Sequence, residues 1–334
     1  MQHTPRSAWR RAAALAAVLA VGALGVAACG DDDESSGGSG GSSSSSSEGG
    51  NLTLIAGVKG DEFYITMNCG AQEEAKKLGY TLDFQGPDQF DPAQQTPIVN
   101  AVAAKKPDAV LIAPTDTKAL YAPIKQMADA GTKIVLVDTT LDQPDMAVSQ
   151  IASDNEAGGE TAAKALADLI GGSGKVFVVN VKPGISTTDA REKGFVAGAK
   201  AAGLDYVGRE YSNDKPEEAA AKTKAALQKN PDLAGIFGTN LFSAEGAASG
   251  VREAGAKVKI VGFDAGPKQV KDLEDGTVQA LIAQKPADIG SQGVEQAFNA
   301  LEGKPTEEKI GTESTTITKE NLADSQDALY KPSC

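Results

Sequence analysis

The chain reads as an α/β protein built from two similar doubly wound parallel-sheet lobes, and three observations predict it. From Asn51 on, short apolar runs alternate with amphipathic segments of helical length, the alternation that signals βαβ units. Several of those segments reach a glycine just before the next run, in KKLGY, ADAGTK, KAAGL and REAGAK. Gly79, Gly131, Gly203 and Gly255 are therefore expected to close helices in the left-handed conformation. Several runs also stop on a polar side chain, most clearly in Lys259 to Gln284, where IVGF ends at Asp264 and VQALIA at Gln284. In open α/β sheets the ligand crevice lies outside the carboxyl ends of the buried strands, so these polar tips are candidates to touch a solute.

Taken in order, the chain begins with a targeting segment. Arg6, Arg10 and Arg11 precede the uncharged run Ala12 to Ala28, which predicts a signal peptide over residues 1–28. The run is somewhat short for a membrane span of roughly 20 residues and is built from weakly hydrophobic Ala and Gly. Its end, Val26-Ala27-Ala28-Cys29, resembles the lipobox of bacterial lipoproteins, which implies cleavage before Cys29 and lipidation of its thiol. Gly30 to Gly50 holds only Gly, Ser and acidic residues and cannot bury enough apolar surface to fold. As a flexible tether it reaches on the order of 25 Å. The predicted strands follow as LTLIAGV, YTLDF, DAVLIAP, KIVLVD, KVFVVN, DYVGREY, LAGIFGTN, VKIVGFD and VQALIAQ. That is more than one core comfortably holds, and a break is expected near Ser153-Asp154-Asn155, after the short extended run AVSQIA.

Composition narrows the chemistry. The net charge is −13, and without residues 1–28 the chain keeps 29 basic against 45 acidic groups. So acidic a protein repels nucleic acid and anionic membrane surfaces, and a neutral or cationic small partner suits it better. His3 is the single histidine and Trp9 the single tryptophan, and both lie in the segment expected to be removed. A His-based triad, an imidazole metal site and a histidine pH switch are then excluded from the mature chain. The fragment GGSGKV is no phosphate loop, since Leu169 and Val176 occupy positions that require Gly and Ser or Thr. No enzyme, cofactor or metal is expected.

The polar tips are spread over both predicted lobes: Asp138 after KIVLV, Asn240 after GIFGT, Asp264 and Gln284. The first strand runs into Lys59, Gly60 and Asp61, with Phe63 and Tyr64 beside them. Carboxylates and amides next to aromatic faces suit a polyhydroxylated solute, whose hydroxyls need partners once desolvated and whose C–H faces stack on rings. Plain structural roles stay open: Asp264 or Asn240 as helix caps, Phe63 and Tyr64 as core, Lys59 as a solvated charge.

From Asn51 to about Asn321 the chain resembles the periplasmic sugar-binding proteins of the ribose-binding type, which serve ABC importers. The stretches that carry the resemblance are FYITMNCGAQEEAKKLGY, LIAPTD, SQIASDNEAGG, DAREKGF, IFGTN, VGFDAGP and LIAQKPADIG. It implies the type I periplasmic binding protein fold, with lobes of 51–153 plus 285–312 and 154–284 plus 313–334, joined by a three-strand hinge. The family's ligand positions fall on Asp61, Phe63, Tyr64, Asp138, Asn240, Asp264 and Gln284. Two arginines of the ribose-binding pattern are replaced or moved: Thr139 follows the strand-end aspartate, and Asp189 stands before Arg191 in the DAREKGF motif. Both Asp189 and Arg191 are kept as ligand candidates, and the loss of guanidinium forks argues for a different sugar or a polyol. Outside the lipid site two cysteines remain, Cys69 and Cys334, a pair that invites a disulfide in an exported protein; a buried free thiol at Cys69 is the alternative.

The expectation is a monomeric, lipid-anchored solute-binding protein on the outer face of the cell membrane that hands a monosaccharide or polyol to an ABC permease. A sensory protein presenting its ligand to a membrane receptor would use the same lobes. A glycosidase pair of Asp138 and Asp264 is the enzymatic alternative.

Overall fold

The computed structural model describes residues 50–334; the predicted leader, Cys29 and the tether up to residue 49 lie outside the described residues. The first sheet is laid down by β1 (Asn51–Ile55), α1 (Glu62–Lys77), β2 (Thr81–Gln85), α2 (Pro92–Lys105), β3 (Ala109–Ile112), α3 (Tyr121–Asp129), β4 (Lys133–Val137) and β5 (Ala147–Ser153). The second follows as α4 (Asn155–Ile170), β6 (Lys175–Asn180), α5 (Ser186–Ala201), β7 (Asp205–Tyr211), α6 (Pro216–Lys229), β8 (Leu233–Gly238), α7 (Leu241–Ala254), β9 (Lys259–Phe263), α8 (Pro267–Glu274) and β10 (Ala280–Ala283). The chain then crosses back through α9 (Pro286–Leu301) to β11 (Lys309–Thr312) on the first sheet, and over once more to β12 (Thr315–Thr318) on the second.

Both sheets have six strands in the same order, β2-β1-β3-β4-β5-β11 and β7-β6-β8-β9-β10-β12. This is the doubly wound order in which the first strand of each unit sits inside its second, and it sends every βα loop of a sheet to one edge. The pairs are parallel except β10 with β12. Central strands β3 and β10 are buried along their whole length, as a sheet covered by helices on both faces requires. The nine predicted strands are all present. AVSQIA is part of a full strand, β5, and β11 and β12 (KIGT and TTIT) were not anticipated from sequence. Those two are four residues long and lack a sustained apolar run, so neither period nor hydrophobicity announces them.

Three of the helix ends expected at glycine place it just past the C-cap, with φ of +80° at Gly79, +106° at Gly131 and +78° at Gly203; Gly255, at +62°, is itself the cap. The α2 end makes the same turn at Lys106 without a glycine, at φ 53°. Two helix pairs dock at glycines from opposite sides. A Cβ on Gly70 would collide with the carbonyl of Ala287, and one on Gly290 with that of Met67, which lets α1 and α9 close up on the first lobe. Gly159 and Gly194 do the same for α4 and α5 on the second lobe, against the carbonyls of Arg191 and Glu156.

Beyond β12 the tail forms two 3-10 turns, Leu322–Asp324 and Gln326–Ala328. The Tyr330 N–H then donates to the carbonyl of Ala265 on the second lobe at 3.0 Å. One residue later the tail reaches the first lobe, where the Lys331 N–H donates to Thr66 Oγ1 on α1 at 2.7 Å. It ends with Cys334 disulfide-bonded to Cys69 on α1, the Cα atoms 5.3 Å apart.

Candidate functional site

The carboxyl edges of the two sheets face one another, and between them lies a cavity of about 40 Å³. Its wall is supplied by both lobes. From the first come Asp61, Phe63, Tyr64, Phe90 and Asp138; from the second come Thr187, Thr188, Arg191, Asp214, Asn240, Asp264 and Gln284. Lobe-to-lobe hydrogen bonds close the surroundings: Lys182 Nζ donates to the Phe90 carbonyl at 2.7 Å, and the Thr140 N–H to Ser186 Oγ at 3.0 Å.

Asp138 and Asp264 occupy equivalent places, the tips of β4 and β9 in sheets of identical order. Each hands its backbone N–H to the neighbouring strand, Asp138 to the Ile151 carbonyl at 2.8 Å and Asp264 to that of Ile282 at 2.9 Å. Each then turns left-handed, with φ of 62° and 79°. A non-glycine residue in that region is uncommon and costs about 1–3 kcal/mol, and such strain collects at binding sites. Asn213 and Asp214 repeat the device past the end of β7, at φ 51° and 60°.

The hydrogen bonds show which atoms the protein has already used. Asp61 caps α1, its Oδ1 accepting from the Phe63 N–H at 2.8 Å. Asn240 caps α7 through Oδ1 and donates its amide to Asp214 Oδ1 at 2.7 Å. Tyr64 donates its hydroxyl to Asp138 Oδ2 at 2.7 Å. Gln284 accepts from Ser153 Oγ at 2.7 Å, across from the end of β5, and donates to Asp264 Oδ1 at 2.7 Å. Asp264 Oδ1 also accepts from the Tyr330 hydroxyl at 3.0 Å, while its Oδ2 accepts from the Leu241 N–H at 2.9 Å. The Arg191 guanidinium lies 3.9 Å from the centre of the Phe263 ring and donates to Asn155 Oδ1 at 2.8 Å and to the Thr239 carbonyl at 3.0 Å. Thr188 Oγ1, fully buried on the cavity wall, has no partner in the protein.

Four carboxylates thus share the cavity with one guanidinium, and their environment shows in their acidity. Burial pushes Asp138 up to about 6, although Arg191 and the Tyr64 hydrogen bond pull the other way. Burial likewise pushes Asp214 up to about 6, against its bond from Asn240 and the charge of Lys182. Asp61 is driven well above the usual carboxylate range by burial, with the charges of Asp264 and Asp214 adding to it. Among the described residues no group of three or more His, Cys, Asp or Glu side chains is placed to hold a metal ion.

Eight of the nine residues singled out from sequence therefore line one cavity. Asp189 does not: it is exposed, and its carboxylate turns back to accept from the Gly184 N–H at 2.9 Å. It sits two residues before Arg191 on α5, and residues two apart on a helix point to different faces, so with Arg191 turned inward Asp189 must turn out. Thr139 is buried but donates to the Pro114 carbonyl at 2.8 Å and does not reach the cavity. Asp214 escaped sequence reading because DYVGREY, an edge strand, is polar before it ends, so no stop in an apolar run marked its tip. Phe90 lies in an irregular loop and Tyr330 in the tail, where no period points anywhere.

A sequence profile described as periplasmic binding protein domain matches residues 52–305 of the chain. The ribose import binding protein of Salmonella typhimurium is 30% identical over 270 residues, covering 80% of this chain and 90% of that protein. The D-ribose/D-allose-binding protein of Pseudomonas aeruginosa is 32% identical over 271 residues, 77% of this chain and 84% of that one. Among solved structures, an ABC transporter solute-binding protein from Agrobacterium vitis bound with α-D-tagatopyranose superposes with a TM-score of 0.82 at 45% identity, covering 84% of this chain and 99% of its own.

Proposed function

Because the chain belongs to the periplasmic binding protein family, we propose that it captures a neutral monosaccharide or polyol between its lobes and hands it to an ABC importer in the membrane. The observation that carries this is the surplus of unspent acceptors. Asp61 and Asp138 each have one carboxylate oxygen that makes no hydrogen bond to the protein, as does Asp214. Asp264 has three of its roughly four acceptor positions filled. A ligand that completes them must bring several O–H donors. It must also carry no negative charge, because one guanidinium cannot offset four carboxylates. Phe63, Tyr64 and Phe90 supply ring faces for its C–H surface. At about 40 Å³ the cavity is smaller than a sugar ring, so in this reading the lobes part to admit the ligand and close over it, which favours a single unit over an oligosaccharide.

In this reading the ligand bridges Asp61, Phe63, Tyr64 and Asp138 of one lobe to Arg191, Asn240, Asp264 and Gln284 of the other, and its binding free energy shifts an open–closed equilibrium. The closed surface is what the permease reads. Lipidation at Cys29 would keep the lobes within the tether's reach of that partner. Two of the relatives named above support import over the sensory alternative, since one is an import binding protein and the other an ABC transporter solute-binding protein by name. The glycosidase reading loses ground because the relatives named above are binding proteins by name.

Calorimetric unfolding of the protein against D-tagatose, D-ribose, D-allose, a series of polyols and D-glucuronate tests this. A ligand at a hundred times its dissociation constant adds about 2.7 kcal/mol, a midpoint rise on the order of 5–10 °C. A rise with at least one neutral sugar or polyol, and none with glucuronate, is expected. A response to glucuronate alone would sink the neutral-ligand reading.

A further inference from the structure

The residue that fixes Asp264 from outside the cavity belongs to neither sheet nor helix. Tyr330 is 4% exposed, and its hydroxyl sits between two groups of the site, donating to Asp264 Oδ1 and accepting from the Gln284 N–H, both at 3.0 Å. Its ring centre is 5.9 Å from that of Phe63, which meets Tyr64 edge-on at 5.1 Å, and Tyr64 in turn holds Asp138. The tail is fixed to both lobes on either side of this side chain, by the Ala265 carbonyl before it and by Thr66 and Cys69 after it. Burial, and then the Asp264 charge, push the phenol well above its ordinary range, which keeps it a donor.

We propose that Tyr330 is a positioning residue of the ligand site: it locks the Asp264 carboxylate so that Oδ2 keeps one acceptor position turned to the cavity. This rests on the sugar-capture reading. Asp264 needs such a lock because its left-handed backbone, at φ 79°, lies outside the regular strand and its rotamer is not set by the sheet. Gln284 needs it too, since its buried N–H has no other acceptor in this structure.

The test compares the unaltered protein with Tyr330→Phe, which keeps the ring against Phe63 and removes only the hydroxyl, and with Cys334→Ser, which loosens the tail and keeps the hydroxyl. D-tagatose, D-ribose and D-allose are titrated into each by calorimetry, beside an unfolding scan. Tyr330→Phe is expected to weaken the bound sugar about tenfold while lowering the midpoint by only a few degrees, the cost of the unpaired Gln284 N–H, and Cys334→Ser to weaken binding much less. Binding by Tyr330→Phe within twofold of the unaltered protein would overturn the proposal, and so would an equal loss in Cys334→Ser, which marks a merely structural tail. If the unaltered protein binds none of the three sugars, amide hydrogen exchange in the unliganded state decides. Exchange at Gln284 about tenfold faster in Tyr330→Phe supports the lock, and unchanged exchange overturns it.

Discussion

Asp138 and Asp214 carry a pH dependence that can be worked out in sign. Each has its carboxyl pushed from 3.8 to about 6 in the folded protein, chiefly by burial. The folded chain therefore holds these protons more tightly than the unfolded chain, so their contribution favours folding at low pH and is lost as pH rises from about 4 to about 6. Unfolding of the unliganded protein should show this as a falling component of the midpoint across that window, roughly halved in the same series on Asp138→Asn, where Asp214 still contributes. Sugar affinity should run the other way. A hydroxyl donates best to an ionised carboxylate, so binding should tighten between pH 5 and pH 7.5, and Asp138→Asn should cost about 1.5–3 kcal/mol at the upper pH. Calorimetric titration at the two pH values checks it, and a flat profile would separate Asp138 from the ligand. At this scale the sequence spoke through a single signal, an apolar run ending abruptly on a polar residue. That signal finds Asp138, Asn240, Asp264 and Gln284. It cannot see Asp214 behind a polar edge strand, or say which of Asp189 and Arg191 turns inward, because both sit in one amphipathic segment and only packing against α4 chooses the face.

The helices next to the site are positioned by contact with no room left in it. The Arg191 carbonyl is the atom that a Cβ on Gly159 would strike, so a change on α4 acts on the segment of α5 that carries the cavity's guanidinium. Gly159→Ala should cost about 1–3 kcal/mol by overpacking, a midpoint fall on the order of 3–10 °C, and it should weaken sugar binding as well. Gly290→Ala, between α9 and Met67 of α1, should cost a similar amount. Gly60→Ala is the control: it has open space around it and no left-handed backbone, and should stay within about 0.5 kcal/mol. Differential scanning calorimetry of the three variants separates these outcomes. Elements of this kind were the most legible part of the chain. Buried parallel strands advertise themselves by continuous apolar runs, and left-handed helix ends by glycine. The four-residue strands β11 and β12 did not, since their pairing is imposed by the sheet edge each lies against.

For the molecule as a whole, the two-lobe plan followed from counting strands, because so many strands exceed one core. The tail was beyond reach of that argument. It has no period, and its role depends on reaching both Ala265, just past β9, and Thr66 on α1. It adds a fourth covalent path between lobes that the described chain otherwise joins by three crossovers, at residues 153–155, 283–286 and 312–315. The bridge spans 265 residues of sequence, so it removes much freedom from the unfolded chain, and its loss should cost about 2–5 kcal/mol. Cys334 is exposed, so mild reductant should reach it and lower the midpoint on the order of 5–15 °C, a drop that Cys69→Ser reproduces without reductant. Topologically, the bond turns everything from Cys69 to Cys334 into a closed ring that carries nearly all of both lobes. A protease that severs one loop inside the ring opens it without dividing it. The nicked protein should migrate as a single species on a denaturing gel and fall into two fragments once a thiol is added.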